Sequence, residues 1–289
     1  MLKKSIHGDV ISFKVSRTIF GYPLYFTHFF YIDGLLIDTG PYHNAAEIKA
    51  ALEKLPINKV VITHQHEDHT GNINYFRQEL KVPVYAHLKT IKMIRKPPPI
   101  QLYRHLIWGA QPPADALPLE EKIVTANFCL KVIHTPGHSP DHTSYFEPLK
   151  GLLFCGDLFL GENLTGFMVG ENIAEHFISL KKVIALNPSY LFCGLKGRLD
   201  NATNRLIKKY KQWWSIGTQV KTLYKQGASR LKIIREVFGG EIYFYYFSQS
   251  NWGRRYMIDS IIDNLEIFNS DQKNPYNPQE FLLIRDRAN

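Results

Sequence analysis

The sequence predicts an α/β fold in which sheets are flanked by helices and a helical tail follows. Three observations predict it. Short β-branched and aromatic runs crowd the first 37 residues, strand and helix spacings alternate through the middle, and the last third has helical spacing and many basic residues.

Each element follows from its local pattern. Runs at 10–15, 24–32 and 35–37, punctuated by Gly8, Gly21, Pro23 and Gly34, predict opening hairpin strands. Residues 44–55 change to helical spacing, with Ala45, Ile48, Leu52 and Leu55 on one side. A compact apolar strand at 59–62 leads into a histidine cluster, then a helix to about Leu80 and a strand at 82–86. Pro97, Pro98 and Pro99 stop the next helix. From there to Pro118, Gly109, Pro112 and Pro113 predict a long irregular loop carrying Tyr103, His105 and Trp108. Loops of that length inside a domain often bind ligands, and these aromatics either wall a pocket or pack the loop down. Strands are expected at 123–124, 128–133, 143–146, 152–155 and 190–193, with a helix at 173–186. The boundaries drawn are a catalytic domain over 1–200 and a mainly helical extension over 201–289.

Composition narrows the class. With 45% hydrophobic and 21% charged residues, the chain is ordinary globular protein. Lys3 and Lys4 are not followed by the apolar run of a signal peptide, and residues 22–37 carry His28 and Asp33. No membrane segment is expected, and the cytoplasm is the expected compartment. Cys129, Cys155 and Cys193 are odd in number and in no CxxC pair, which excludes a disulfide framework or zinc finger. They read as small buried hydrophobes. The net charge of +9 is uneven: 201–239 holds nine Lys or Arg and a single acid, Glu236. That stretch is either a solvated helix face or a surface for a polyanion such as RNA.

The chemistry concentrates in His64-x-His66-x-Asp68-His69, directly after a strand. Imidazole and carboxylate suit a borderline ion such as zinc. On an extended turn His64 and His66 can close on one ion, while Asp68 and His69, opening the next helix, can face a second. Asp38, His138 and Asp157 each sit just beyond an apolar strand, where open α/β sheets place their sites.

The motifs LLIDTG, THQHEDHTGN, TPGHSPDHTSYF and FCGDLF, in this order, resemble the metallo-β-lactamase-fold hydrolases, in a glyoxalase-II-like or β-lactamase-like-protein-2-like branch. The resemblance implies a four-layer αβ/βα sandwich with a metal site at one edge of the sheets. By motif, His64, His66 and His138 would hold a first ion, Asp157 would bridge, and Asp68 and His69 would join a second. Asp68 would also be catalytic, and Asp38 and His142 would brace the ligands. Zinc is expected, one ion tight and a second weaker, with iron or manganese open. One position departs from the pattern: Leu195 stands where a last histidine is usual, leaving the second ion short of a ligand. Lys196 or Cys193 could compensate there. The expected activity is hydrolysis of a small ester, thioester or lactone, with Tyr103, Trp108 and Lys196 as candidate substrate contacts. Cleavage of RNA bound by the basic tail, or a metal-depleted binding protein, are the alternatives.

Overall fold

The amino-terminal segment Leu-Lys-Lys-Ser-Ile-His has too many polar residues to read as a strand, yet it forms β1 (Leu2–His7) at the edge of a seven-stranded sheet. Lysines on an edge discourage pairing with another chain. In this computed structural model, which describes residues 1–268, the sheet continues through β2 (Val10–Val15), β3 (Thr27–Ile32), β4 (Leu35–Ile37), β5 (Lys59–Val61), β6 (Val84–Ala86) and β7 (Leu117–Pro118), in that order. Pairing is antiparallel up to β4 and parallel from there on. The parallel half needs crossovers, supplied by α1 (Ala45–Leu52), α2 (Glu67–Thr70) with a π-turn at Tyr75–Glu79, α3 (Leu88–Arg95) and α4 (Leu102–Ile107).

A second, six-stranded sheet runs β8 (Lys122–Val124), β9 (Cys129–His134), β10 (Thr143–Glu147), β11 (Leu152–Gly156), β12 (Tyr190–Cys193) and β13 (Gly197–Asp200). Only β11 and β12 are parallel in it.

The pleat sorts the apolar residues. Phe30, Ile32, Leu35, Ile37 and Val61 pack against Leu130, Tyr145, Phe154 and Phe192 of the second sheet. Their neighbours of opposite parity, Phe29, Tyr31, Leu36, Val60 and Ile62, pack with Ile48, Leu52, Ile91 and Ile94 of α1 and α3. Because both faces are covered, β3 is buried at all six positions, and its Phe29–Ile32 stretch reads as a continuous apolar run rather than an alternation. Each such large side chain contributes about 1.5–3 kcal/mol on burial.

These sheets and helices form one compact unit of residues 1–134, 141–157 and 189–200; residues 135–140, 158–188 and 201–268 fall in another. The latter holds α5 (Ile173–Ala185), α6 (Ala202–Lys225), α7 (Arg230–Phe238), α8 (Tyr243–Phe247) and α9 (Arg254–Ile262). Asn172 caps α5 by accepting from Glu175 N, and Ser229 caps α7 by accepting from Lys232 N. Trp213 centres this unit's core, edge-on to Phe167 and His176. Among the described residues no helix is long and apolar enough to cross a membrane.

Three sequence expectations are corrected. The proline-rich stretch is not wholly irregular, since α4 forms inside it. Cys129 is exposed, whereas Cys155 and Cys193 are buried: β9 opens on a strand position that faces solvent. Lys209, counted among the tail's surface cations, is fully buried, its Nζ donating to the carbonyls of Phe159 and Gly161 and lying 3.9 Å from the Trp213 ring centre.

Candidate metal centre

Four strand ends of the first unit build the site: Asp38 follows β4, the His64–His69 cluster follows β5, Asp157 follows β11, and Gly194 follows β12. Asp38 organises it. The residue is buried with φ 65°, and its carboxylate accepts from Thr63 N at 2.7 Å, Thr63 Oγ1 at 2.8 Å and His69 Nδ1 at 2.7 Å. These bonds assign the tautomers. A carboxylate only accepts, so His69 carries its proton on Nδ1 and turns Nε2 inward. The Thr63 hydroxyl gives its single proton to Asp38, so at 3.1 Å it accepts from His64 Nδ1–H, and His64 Nε2 carries the lone pair.

The inward nitrogens converge. His64 Nε2 lies 2.9 Å from His66 Nδ1. His69 Nε2 lies 3.3 Å from Asp68 Oδ2 and 3.6 Å from Asp157 Oδ1, buried and without an aligned hydrogen bond. Ligand atoms of His64, His69 and Asp157 all fall within 4.8 Å of one another. Burial opposes charge on His69, but the carboxylates of Asp68, Asp38 and Asp157 prevail and raise its pKa well above the ordinary value. Burial likewise opposes ionisation of Asp68, and the adjacent His69 overcomes it, keeping the carboxyl below its usual range. A buried imidazole among three carboxylates is a place that wants a cation, and imidazole–carboxylate donors fit a divalent ion such as zinc.

The neighbouring residues hold this geometry. His142 Nε2 accepts from the backbone N–H of Asp157 at 3.1 Å, fixing the start of the loop that carries the carboxylate. At the turn after β12, a Cβ on Gly194 would come within 2.3 Å of Asp157 Oδ1 and 2.9 Å of His69 Cε1, so bare backbone is required against the cluster. Leu195, in the usual place of a last histidine, is exposed, as is Lys196. Cys193 is buried and hydrogen-bonded with Cys155.

Two pairings reach beyond the sequence motifs. Glu67, buried between ligand positions, takes a bidentate bond from Arg104 of α4, at 2.7 Å from Nε and 2.6 Å from Nη2. Arg104 thereby fastens α4, and with it Tyr103, to the metal motif. Burial, with help from Glu67 and Asp68, pushes the Tyr103 phenol up to about 12. Trp108 closes α4 and accepts from His43 N through its carbonyl. In the second unit, His138 Nδ1 lies 3.5 Å from Glu171 Oε1, and His176 Nε2 donates to Glu171 Oε2 at 3.0 Å. Burial would raise the Glu171 carboxyl, but the two imidazoles overcome it and bring it to about 2. Thr63 was legible as the residue before the histidine cluster; nothing local in the sequence points to Arg104 or Glu171.

Comparison with known proteins agrees with this picture. The family model described as the metallo-β-lactamase superfamily matches residues 30–194. A β-lactamase-like protein 2 homolog of Caenorhabditis elegans is 30% identical over 183 residues, covering 60% of this chain and 55% of that one. A hydroxyacylglutathione hydrolase of Hahella chejuensis is 31% identical over 153 residues, 51% of each chain. The chain thus spans about half the length of these curated relatives. A metallo-β-lactamase family protein from Thermus thermophilus superposes with a TM-score of 0.65 at 19% identity, over 92% of this chain and 97% of that one. The fold is the α/β sandwich that the motifs implied, with the C-terminal helical part that the spacing predicted, and the chain belongs to the metallo-β-lactamase superfamily.

Proposed function

We propose that the chain is a zinc-dependent hydrolase of small ester, thioester or lactone substrates. The observation that carries this is the ionised Asp68 carboxylate beside His69 Nε2, inside the buried group of His64, His69 and Asp157. By motif, His64, His66 and His138 would hold the tighter ion, and Asp157, Asp68 and His69 would hold a second one, more weakly for want of a histidine at Leu195. Bound zinc supplies Lewis acidity and brings the pKa of water down to about 7. Asp68 orients the attacking water and accepts its proton. Tyr103, its phenol kept protonated, donates a hydrogen bond to a substrate oxygen, and the Arg104–Glu67 pair keeps α4 in position for it.

Two observations support a small acyl substrate over RNA. A curated relative is by name a hydrolase of an acyl-glutathione, which is a thioester. The tail's cations are also partly committed, Lys209 being internal and Arg205 and Arg230 paired with Glu162 and Asp259. The test is turnover of a panel of thioesters, lactones, phosphodiesters and RNA by wild type and Asp68→Ala. Asp68→Ala should lose about 10²–10⁴-fold in turnover of the preferred acyl substrate while keeping the tighter ion. Unchanged turnover removes the role of Asp68, and cleavage of RNA alone removes the acyl assignment.

A further inference from the structure

We propose that Glu171 is the positioning residue for His138, fixing its ring so that Nδ1 carries the proton and Nε2 is presented as the donor. The inference rests on the reading of His138 as a ligand. It starts from a buried group of the second unit that none of the recognised motifs contains. Glu171 is 6% exposed and stands just ahead of α5. Its carboxylate is held on both oxygens. Oε1 accepts from Met168 N at 2.9 Å and faces His138 Nδ1 at 3.5 Å, and Oε2 accepts from His176 Nε2 at 3.0 Å. His176 is itself fixed, with its ring against Phe167 and Trp213.

The loop bearing His138 is gripped by the same helix. Asn172 N donates to Gly137 O at 2.9 Å, Ser179 Oγ donates to Pro136 O at 2.6 Å, and a Cβ on Gly137 would meet His176 atoms at 2.6 Å. Backbone and ring of His138 are therefore set by one rigid element, α5 and the residues that enter it. The arrangement parallels the support of His69 by Asp38: a buried carboxylate on Nδ1 fixes the tautomer and makes the opposite nitrogen a stronger donor. Here the carboxylate comes from outside the motif that supplies its histidine.

The experiment is a zinc titration of chelator-stripped protein against a competing chromophoric chelator, for wild type, Glu171→Ala, Glu171→Gln and His138→Ala, with urea unfolding of the metal-free forms alongside. Glu171→Ala should weaken the tighter zinc about 10–100-fold. Glu171→Gln, which keeps an acceptor for Nδ1–H, should lose less, and His138→Ala should lose at least as much as Glu171→Ala. Should Glu171→Ala fail to fold, Glu171→Gln carries the comparison: affinity below wild type but above His138→Ala supports positioning. Wild-type affinity in the Glu171 variants with a large loss in His138→Ala overturns the positioning role, even if their urea midpoints fall. Wild-type affinity in His138→Ala overturns the ligand reading beneath it.

Discussion

Asp38 sits with φ 65°, a conformation that costs a non-glycine residue energy and that aspartate tolerates better than most. What it gains is a carboxylate that sets His69 directly and His64 through the Thr63 hydroxyl. Asp38→Asn keeps the size but offers an amide where two donors need acceptors. We expect zinc affinity to fall about 10–100-fold with little change in the metal-free fold, measured by chelator competition. An unchanged affinity would show that the tautomers are set elsewhere. His28 offers a pH test on the same scale. Burial lowers its pKa to about 4, its Nδ1 resting 3.1 Å from Gly194 O. A histidine whose folded pKa lies below its unfolded value of about 6.5 leaves the unfolded chain binding the extra proton between those values. Its share of stability is complete above pH 6.5 and lost as pH falls toward 4. In His28→Gln, urea stability should fall less steeply over that window than in wild type.

At the scale of elements, α4 and the turn after β12 decide how the cluster is closed. Helix α4 was hidden in the sequence by the prolines around it, and the bond that fixes it runs from Arg104 to Glu67, 37 residues away. Spacing patterns report local faces and carry no trace of such a pair. Removing one partner leaves a buried charge. Arg104→Ala should therefore destabilise by about 3–5 kcal/mol in urea unfolding, while Arg104→Met with Glu67→Leu should recover most of the loss. No recovery would mean that α4 depends on some other contact. At the turn, Gly194→Ala should force Asp157 away from His69 and lower metal content, because the added Cβ meets a carboxylate oxygen and a ring within the cluster.

For the molecule as a whole, the sheets were legible in runs such as Phe29–Phe30–Tyr31–Ile32, and the metal cluster was legible because four donor side chains within six residues serve no core. The sequence misled where side-chain fate depends on distant packing. Lys209 reads as one cation in a basic helix, yet it is enclosed by Trp213 and the Phe159 and Gly161 carbonyls. Lys209→Met should cost about 2–3 kcal/mol by stranding those carbonyls, whereas Lys208→Met, at an exposed position of the same helix, should be near neutral. Equal effects in urea unfolding would contradict the burial. Above all, hydrolysis should depend on the ion held by the buried histidine–aspartate cluster. The most direct test is the rate of acyl-thioester hydrolysis before chelation, after complete metal removal, and after stoichiometric zinc is returned. Turnover should be lost on removal and recover with zinc; an undiminished rate in the metal-free protein would contradict the assignment.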